Sequence, residues 1–140
     1  MKTGRIEHAV TVHCPMERVW RLLTDVARLD GRGFYANSKW VEGQPWSKGS
    51  RFEFDLVAPI RTHAGKVVTF YDPPRRLCMI AHGSGITSEQ RFTLKEDVDG
   101  VRVMISAEYT GDASSDTAAA EVGDTLMKHL LDTLVTDCGG

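Results

Sequence analysis

From about Asp112 to Asp137 the chain repeats apolar residues at helical spacing. Val122, Leu126 and Leu130 recur every four residues, and Ala119, Gly123, Met127, Leu131 and Val135 form a second row beside them. Glu121, Asp124, Lys128 and Asp132 fall largely on the opposite side, so the pattern predicts an amphipathic helix with a broad apolar stripe. At ~1.5 Å per residue, about 24 residues make a helix roughly 36 Å long, enough to cross a small domain. No second helical stretch of comparable length is present. The stripe is therefore expected to bury against strands.

The remaining pattern is mostly of period two. Arg5–His13 alternates, with Ile6, His8, Val10 and Val12 on one face. Pro15 suits a first helical position and Glu17 a first turn; Val19, Leu22, Leu23 and Val26 then give a helical face. Gly31 and Gly33 stop it after a second short turn or helix. Ser38–Glu42 predicts a short strand, and Gly43–Gly49 a turn-rich connection. Arg51–Ala58 places Phe52, Phe54 and Leu56 on one face, with Arg51, Glu53 and Asp55 on the other. Lys66–Tyr71 and Leu77–His82 are two further strands, separated by a turn that Pro73 and Pro74 enforce. Glu89–Glu96 and Val101–Thr110 form a last hairpin around Asp97–Gly100. The order is strand, two short helices, six strands, long helix: an α+β fold whose antiparallel strands must twist and curve.

Composition narrows the class without choosing within it. One hundred and forty residues suit one domain, 1–140, and bury enough core to need neither disulfide nor metal. A net charge of −2 gives no electrostatic reason to expect nucleic acid as partner. No run of apolar residues is long enough for membrane insertion and Met1–Arg5 shows no secretory pattern, so a cytoplasmic location is expected. Cys14, Cys78 and Cys138 are odd in number, widely spaced and without a CxxC, which reads as buried or incidental thiols, with Cys138 on a frayed tail. No GxGxxG, P-loop, GxSxG or HExxH is present, and no histidine pair stands with a carboxylate at ligand spacing; no metal and no cofactor are expected.

Four motifs, CPMERVW…LLTD, EGQPWSKGSRFEF, YDPPRRL and GVRVMISAEYTG, occur in this order before the terminal helix. In this arrangement the chain resembles the START-like helix-grip (SRPBCC) superfamily, polyketide cyclase/dehydrase-like branch, over about Arg5–Leu134. That superfamily includes the major pollen allergen. The resemblance implies about seven curved strands in the order β-α-α-β6-α, gripping a long C-terminal helix around a mainly apolar internal cavity. It names no ligand, because the same scaffold hosts lipid carriers, hormone receptors, cyclases, oxygenase domains and co-chaperone modules.

In such a cavity the inward faces would present Trp40, Phe52, Phe54, Gln90, Phe92, Ile105, Tyr109, Gly123 and Met127 to a ligand. Gln90 is in phase with Phe92, and Tyr109 with Ile105, so both offer polar groups among apolar walls. His8 shares a face with Ile6 and Val10. It is either a buried imidazole with a backbone partner or a cavity acid/base, a catalytic candidate beside Tyr109. Trp40 and Trp46 bracket the Gly43–Gly49 turn as a sheet-edge cap or an aromatic lip, and Trp20 reads as core. Arg75, Arg76 and His82 read as solvated turn residues; Glu89, Arg91 and Glu108 fall outside as cross-strand pairs. Gly123 marks either close approach of helix and sheet or space for a ligand.

Three functions fit. The first is binding of a small apolar molecule of lipid, isoprenoid or polyketide type, by a monomer or a homodimer. The second is a cyclase or dehydratase using positioning and one cavity acid/base. The third is a protein-interaction module acting through its surface.

Overall fold

The computed structural model of the protein describes residues 2–83, 85–111 and 116–138, with residues 2, 3 and 116–119 described through their backbone. The elements are β1 (Lys2–Val12), α1 (Met16–Leu23), β2 (Tyr35–Glu42), β3 (Arg51–Leu56), β4 (Thr62–Asp72), β5 (Arg76–Gly83), β6 (Ile86–Asp97), β7 (Gly100–Gly111) and α2 (Asp116–Asp137). The seven strands form one curved antiparallel sheet in the order β1-β7-β6-β5-β4-β3-β2. Consecutive strands β2 to β7 are neighbours, and β1 closes the far side by pairing with β7 from Lys2↔Gly111 to Val12↔Val101. This is the helix-grip architecture. Strands β2, β4, β5, β6 and β7 run longer than their apolar alternation, because ladder hydrogen bonds continue past the last inward side chain, whereas β3 ends at Leu56, two residues before the expected Ala58. The predicted helix start at Asp112 lies outside the described residues.

Alternation does what a half-buried sheet requires. Phe52, Phe54 and Leu56 of β3, Phe92 and Leu94 of β6, and Val101, Val103, Ile105 and Ala107 of β7 are buried on the concave face. α2 lies over β1 and β7 on that face, with Met127, Leu131 and Leu134 buried, and meets α1 near its C-terminal end. α1 adds Val19 and Trp20 to the core. The helix is thus displaced to one side of the sheet, leaving space under its middle turns, Val122 to Leu130.

The structure corrects three details. The predicted second short helix is a succession of turns: Arg28 N–H donates to the Asp25 carbonyl at 3.2 Å and Asp30 N–H to that of Ala27 at 3.1 Å. The Asp25 carboxylate takes the Ala27 N–H, competing with helical bonding. Pro15 is the residue before α1, its carbonyl accepting from Arg18 and Val19, rather than the first helical residue. Cys14 and Cys138 are bonded as a disulfide with Cα atoms 5.9 Å apart, not incidental thiols. Folding brings the start of α1 against the end of α2, a proximity that 124 residues of separation hide from sequence spacing. Cys78 is free.

Close approach fixes two glycines. A Cβ on Gly4 would lie 2.2 Å from the Tyr109 hydroxyl oxygen, so β1 is kept bare where that ring folds across it. A Cβ on Gly123 would meet Ile6 Cδ1 at 2.9 Å.

Candidate ligand cavity

Between α2 and the concave face of β3–β7 lies a cavity of about 230 Å³. Water occupies ~30 Å³ per molecule, so the space equals about eight waters, room for an organic molecule of roughly ten heavy atoms. Aromatic and aliphatic side chains make most of its wall. Phe52 and Phe54 come from β3, Met79 from β5, Phe92 from β6, Ile105 and Ala107 from β7, and Val122, Leu126, Met127 and Leu130 from α2. Exposed Asp25, Ile60 and His82 also border it, so it opens to solvent between the β3–β4 connection, the turn after α1 and the β5–β6 end.

Of the nine residues expected to face a ligand, eight border this cavity: Phe52, Phe54, Gln90, Phe92, Ile105, Tyr109, Gly123 and Met127. Trp40 does not. The β2–β3 ladder shifts register on both sides of it, and its ring packs on Trp46 at 4.9 Å and Phe52 at 5.1 Å, closing the sheet end. Trp46 borders the cavity instead and stacks on Tyr71, ring centroids 5.8 Å apart. Trp20 is core, as expected, its indole N–H donating to the Tyr71 hydroxyl at 3.3 Å. Tyr71 turns inward because the β4–β5 pairing shifts between Val68 and Phe70, which leaves Phe70 exposed.

His8 takes neither role foreseen for it. Its Nε2–H donates to Asp124 Oδ1 across the β1–α2 seam, and the imidazole is not part of the cavity wall. Asp124 also accepts from Lys128 Nζ at 2.9 Å, and these two bonds, Lys128 first, hold its carboxyl below the usual range. The sheet's inward face simply extends past the cavity, so parity alone could not separate wall from seam.

Polar groups inside the wall are few. Lys66, on β4 beside Phe52, places its Nζ 5.8 Å from the Phe54 ring centroid and 6.0 Å from that of Phe92. Burial lowers its amine from 10.5 to about 8. Gln90 Oε1 is buried without a hydrogen-bond partner among the described residues. Burial pushes the Tyr35 hydroxyl well above its ordinary value, keeping it a neutral phenol. Arg28, also in the wall, is committed: Nη1 donates to Asp137 Oδ2 at 2.7 Å and Nε to the Leu22 carbonyl at 2.8 Å. Among the described residues no group of His, Cys, Asp and Glu could hold a metal ion, and no helix is long and apolar enough to cross a membrane. Lys66 was missed in the sequence. It shares parity with buried Val68, but exposed Phe70 shares that parity too, and the intervening bulge decides which guide is right.

Comparison with known proteins agrees with the architecture. Similar folds occur in an uncharacterized protein from Rhizobium leguminosarum (TM-score 0.79, 11% identity, covering 99% of this chain and 95% of that one) and in Ara h 8.0201 (TM-score 0.71, 11% identity, 96% and 99%). DynU16, a protein in the dynemicin biosynthetic locus, is also similar (TM-score 0.69, 16% identity), with the match covering 94% of this chain and 46% of that one. Such identities establish fold alone. No curated protein matches the sequence. Residues 3–139 match the family described as polyketide cyclase / dehydrase and lipid transport, and the chain, a START-like helix-grip protein, belongs to that family.

Proposed function

We propose that the protein binds a small, largely apolar organic molecule of lipid, isoprenoid or polyketide type in the cavity beneath α2. The observation that carries this reading is a solvent-connected space of about 230 Å³ walled mainly by apolar side chains. An empty apolar space of this size costs contacts that a ligand restores. In this reading Phe52, Phe54, Phe92, Ile105 and Met127 pack on the ligand, Gln90 and Tyr109 orient it, and Gly123 leaves it room. A cyclase or dehydratase needs an acid or base against its substrate; His8 is engaged with Asp124 outside the wall, while Tyr109 borders the cavity, so catalysis stands as the second reading. The largely apolar wall puts binding first.

The test is titration of stripped protein with the small uncharged fluorescent probe 1-naphthylamine. Saturable one-to-one fluorescence enhancement is expected, lost in Ala81→Leu, which extends a wall residue into the space, while the melting temperature of that variant stays near wild type. Absence of saturable binding by the wild type, or unchanged binding by Ala81→Leu, overturns the proposal.

A further inference from the structure

The cavity wall holds two groups whose needs the protein leaves unmet. Lys66 Nζ stands over the faces of Phe54 and Phe92, with no ion pair or hydrogen bond among the described residues. Among the described residues the charged ones in the wall are Asp25, Arg28 and Lys66. Arg28 is matched by Asp137, and Asp25, exposed at the mouth, accepts from the Ala27 N–H. The carboxylates near Lys66 on β3, Glu53 and Asp55, point the other way, each receiving a nitrogen of His63 at 2.8 Å on the outer face. Among the described residues the interior is left with a cation lacking an anion. Gln90 has the opposite want, a buried carboxamide oxygen with no donor among the described residues. The register brings the two toward one place: Gln90 lies two residues along β6 from Phe92, on the same face, and the Phe92 ring is one of the two that Lys66 touches.

Aromatic faces compensate an ammonium ion only in part, and native proteins rarely leave a buried polar atom unsatisfied without a purpose. One class of molecule answers both needs. It must be mainly apolar to fill the wall, about ten heavy atoms in size, anionic at the Lys66 end and able to donate a hydrogen bond at Gln90.

We propose that the cavity selects small apolar carboxylic acids, with Lys66 pairing the carboxylate and Gln90 accepting from a neighbouring hydroxyl. This rests on the binding reading above and adds the head group that the site recognises. The ammonium ion gains a charge-assisted hydrogen bond that water cannot easily replace in so apolar a surrounding. The phenyl faces of Phe54 and Phe92 limit the approach to one side, so the carboxylate end of the ligand has a fixed position and its hydrocarbon body runs toward Ile105 and Met127.

Calorimetric titration of stripped protein at pH 7 with octanoate, octan-1-ol and 3-hydroxyoctanoate tests this. Wild type is expected to bind octanoate about ten- to a hundredfold tighter than octanol, the scale of one hydrogen bond to a charged group. Lys66→Met should erase that preference without weakening octanol, and Gln90→Leu should erase any gain of 3-hydroxyoctanoate over octanoate. Equal binding of acid and alcohol by wild type overturns the head-group assignment and leaves the binding reading standing; so does full octanoate affinity in Lys66→Met. If neither compound binds wild type, the binding reading falls and the assignment falls with it. The acid-to-alcohol ratio in wild type decides the matter even if a variant fails to fold.

Discussion

Replacing Lys66 by Met should make the ligand-free protein more stable, an unusual direction for a substitution in a strand interior. Met keeps the length and apolar stem and removes the ammonium ion. The magnitude follows from linkage: lowering the amine from 10.5 to about 8 corresponds to about 3 kcal/mol at ~1.4 kcal/mol per pH unit. Below pH 8 both folded and unfolded chains carry the proton and the folded state bears the whole penalty. Between pH 8 and 10.5 the unfolded chain still holds it and the folded chain does not, so wild-type stability climbs with pH. Above 10.5 the penalty is gone. Water entering the cavity screens the charge, which makes about 3 kcal/mol an upper figure. Urea denaturation of stripped protein from pH 6.5 to 10.5 reads this directly, as the difference between the variant and wild type at each pH. A variant more stable at pH 7 by up to about 3 kcal/mol, with the gap closing toward pH 10.5, is expected. A variant no more stable than wild type at pH 7, or a gap independent of pH, would refute the reasoning.

Other perturbations probe the frame around the cavity. Cys14→Ser removes a cross-link closing a loop of 124 residues; loop entropy sets the loss at up to about 5 kcal/mol. Urea melts of oxidised wild type should show it, and reductant should lower wild type to the level of the variant and leave the variant unchanged. His129 and His63 should tilt the pH dependence in opposite senses. Burial first, then Arg28 and Arg32, lowers the His129 imidazole, so stability is lost as pH falls below about 6.5 and His129→Gln should flatten that slope. Hydrogen bonds to Asp55 and then Glu53 raise His63, so its contribution is complete below about 6.5 and lost as pH rises through the raised value. NMR titration of the two imidazoles should place His63 above its ordinary value and His129 below, and the reverse order would contradict both assignments.

The fold was legible because alternation and helical spacing are local signals, and β3, β6, β7 and α2 carry them without interruption. Phe52, Phe54, Phe92, Ile105 and Met127 could be placed on the inner side from parity alone. What parity misses is whatever depends on a partner far along the chain or on a slip in register. Asp124, which holds His8, is 116 residues away, and Cys138 is equally remote from Cys14. Trp40 could be read as a sheet-edge cap or an aromatic lip, and the two register shifts in the β2–β3 pairing, which set its ring on Trp46 and Phe52, could not be seen in the sequence. The bulge after Val68 concealed Lys66 in the same way. The cavity lining was therefore readable where strands are straight, and its charge was hidden where one is not.

Gly123 shows the boundary between these cases. Its cost in a helix interior, ~1 kcal/mol relative to Ala, was visible in the sequence. Its cause was not: Ile6, which belongs to the first strand, stands 2.9 Å from where a Cβ would be. The same residue also borders the cavity, so one glycine serves helix–sheet approach and open space together.

The central claim, that the space under α2 receives a small apolar molecule, is tested most directly by methyl NMR of stripped protein titrated with octan-1-ol and, separately, with octanoate, a result counting against the claim only where both ligands give it. The methyl groups of Met79, Ile105 and Met127 line the wall, whereas Val98 is 98% exposed at the β6–β7 turn. Saturable shifts at Met79, Ile105 and Met127 with Val98 unmoved are the predicted result. Saturation with those three methyls silent, or no shifts at all, would contradict the account.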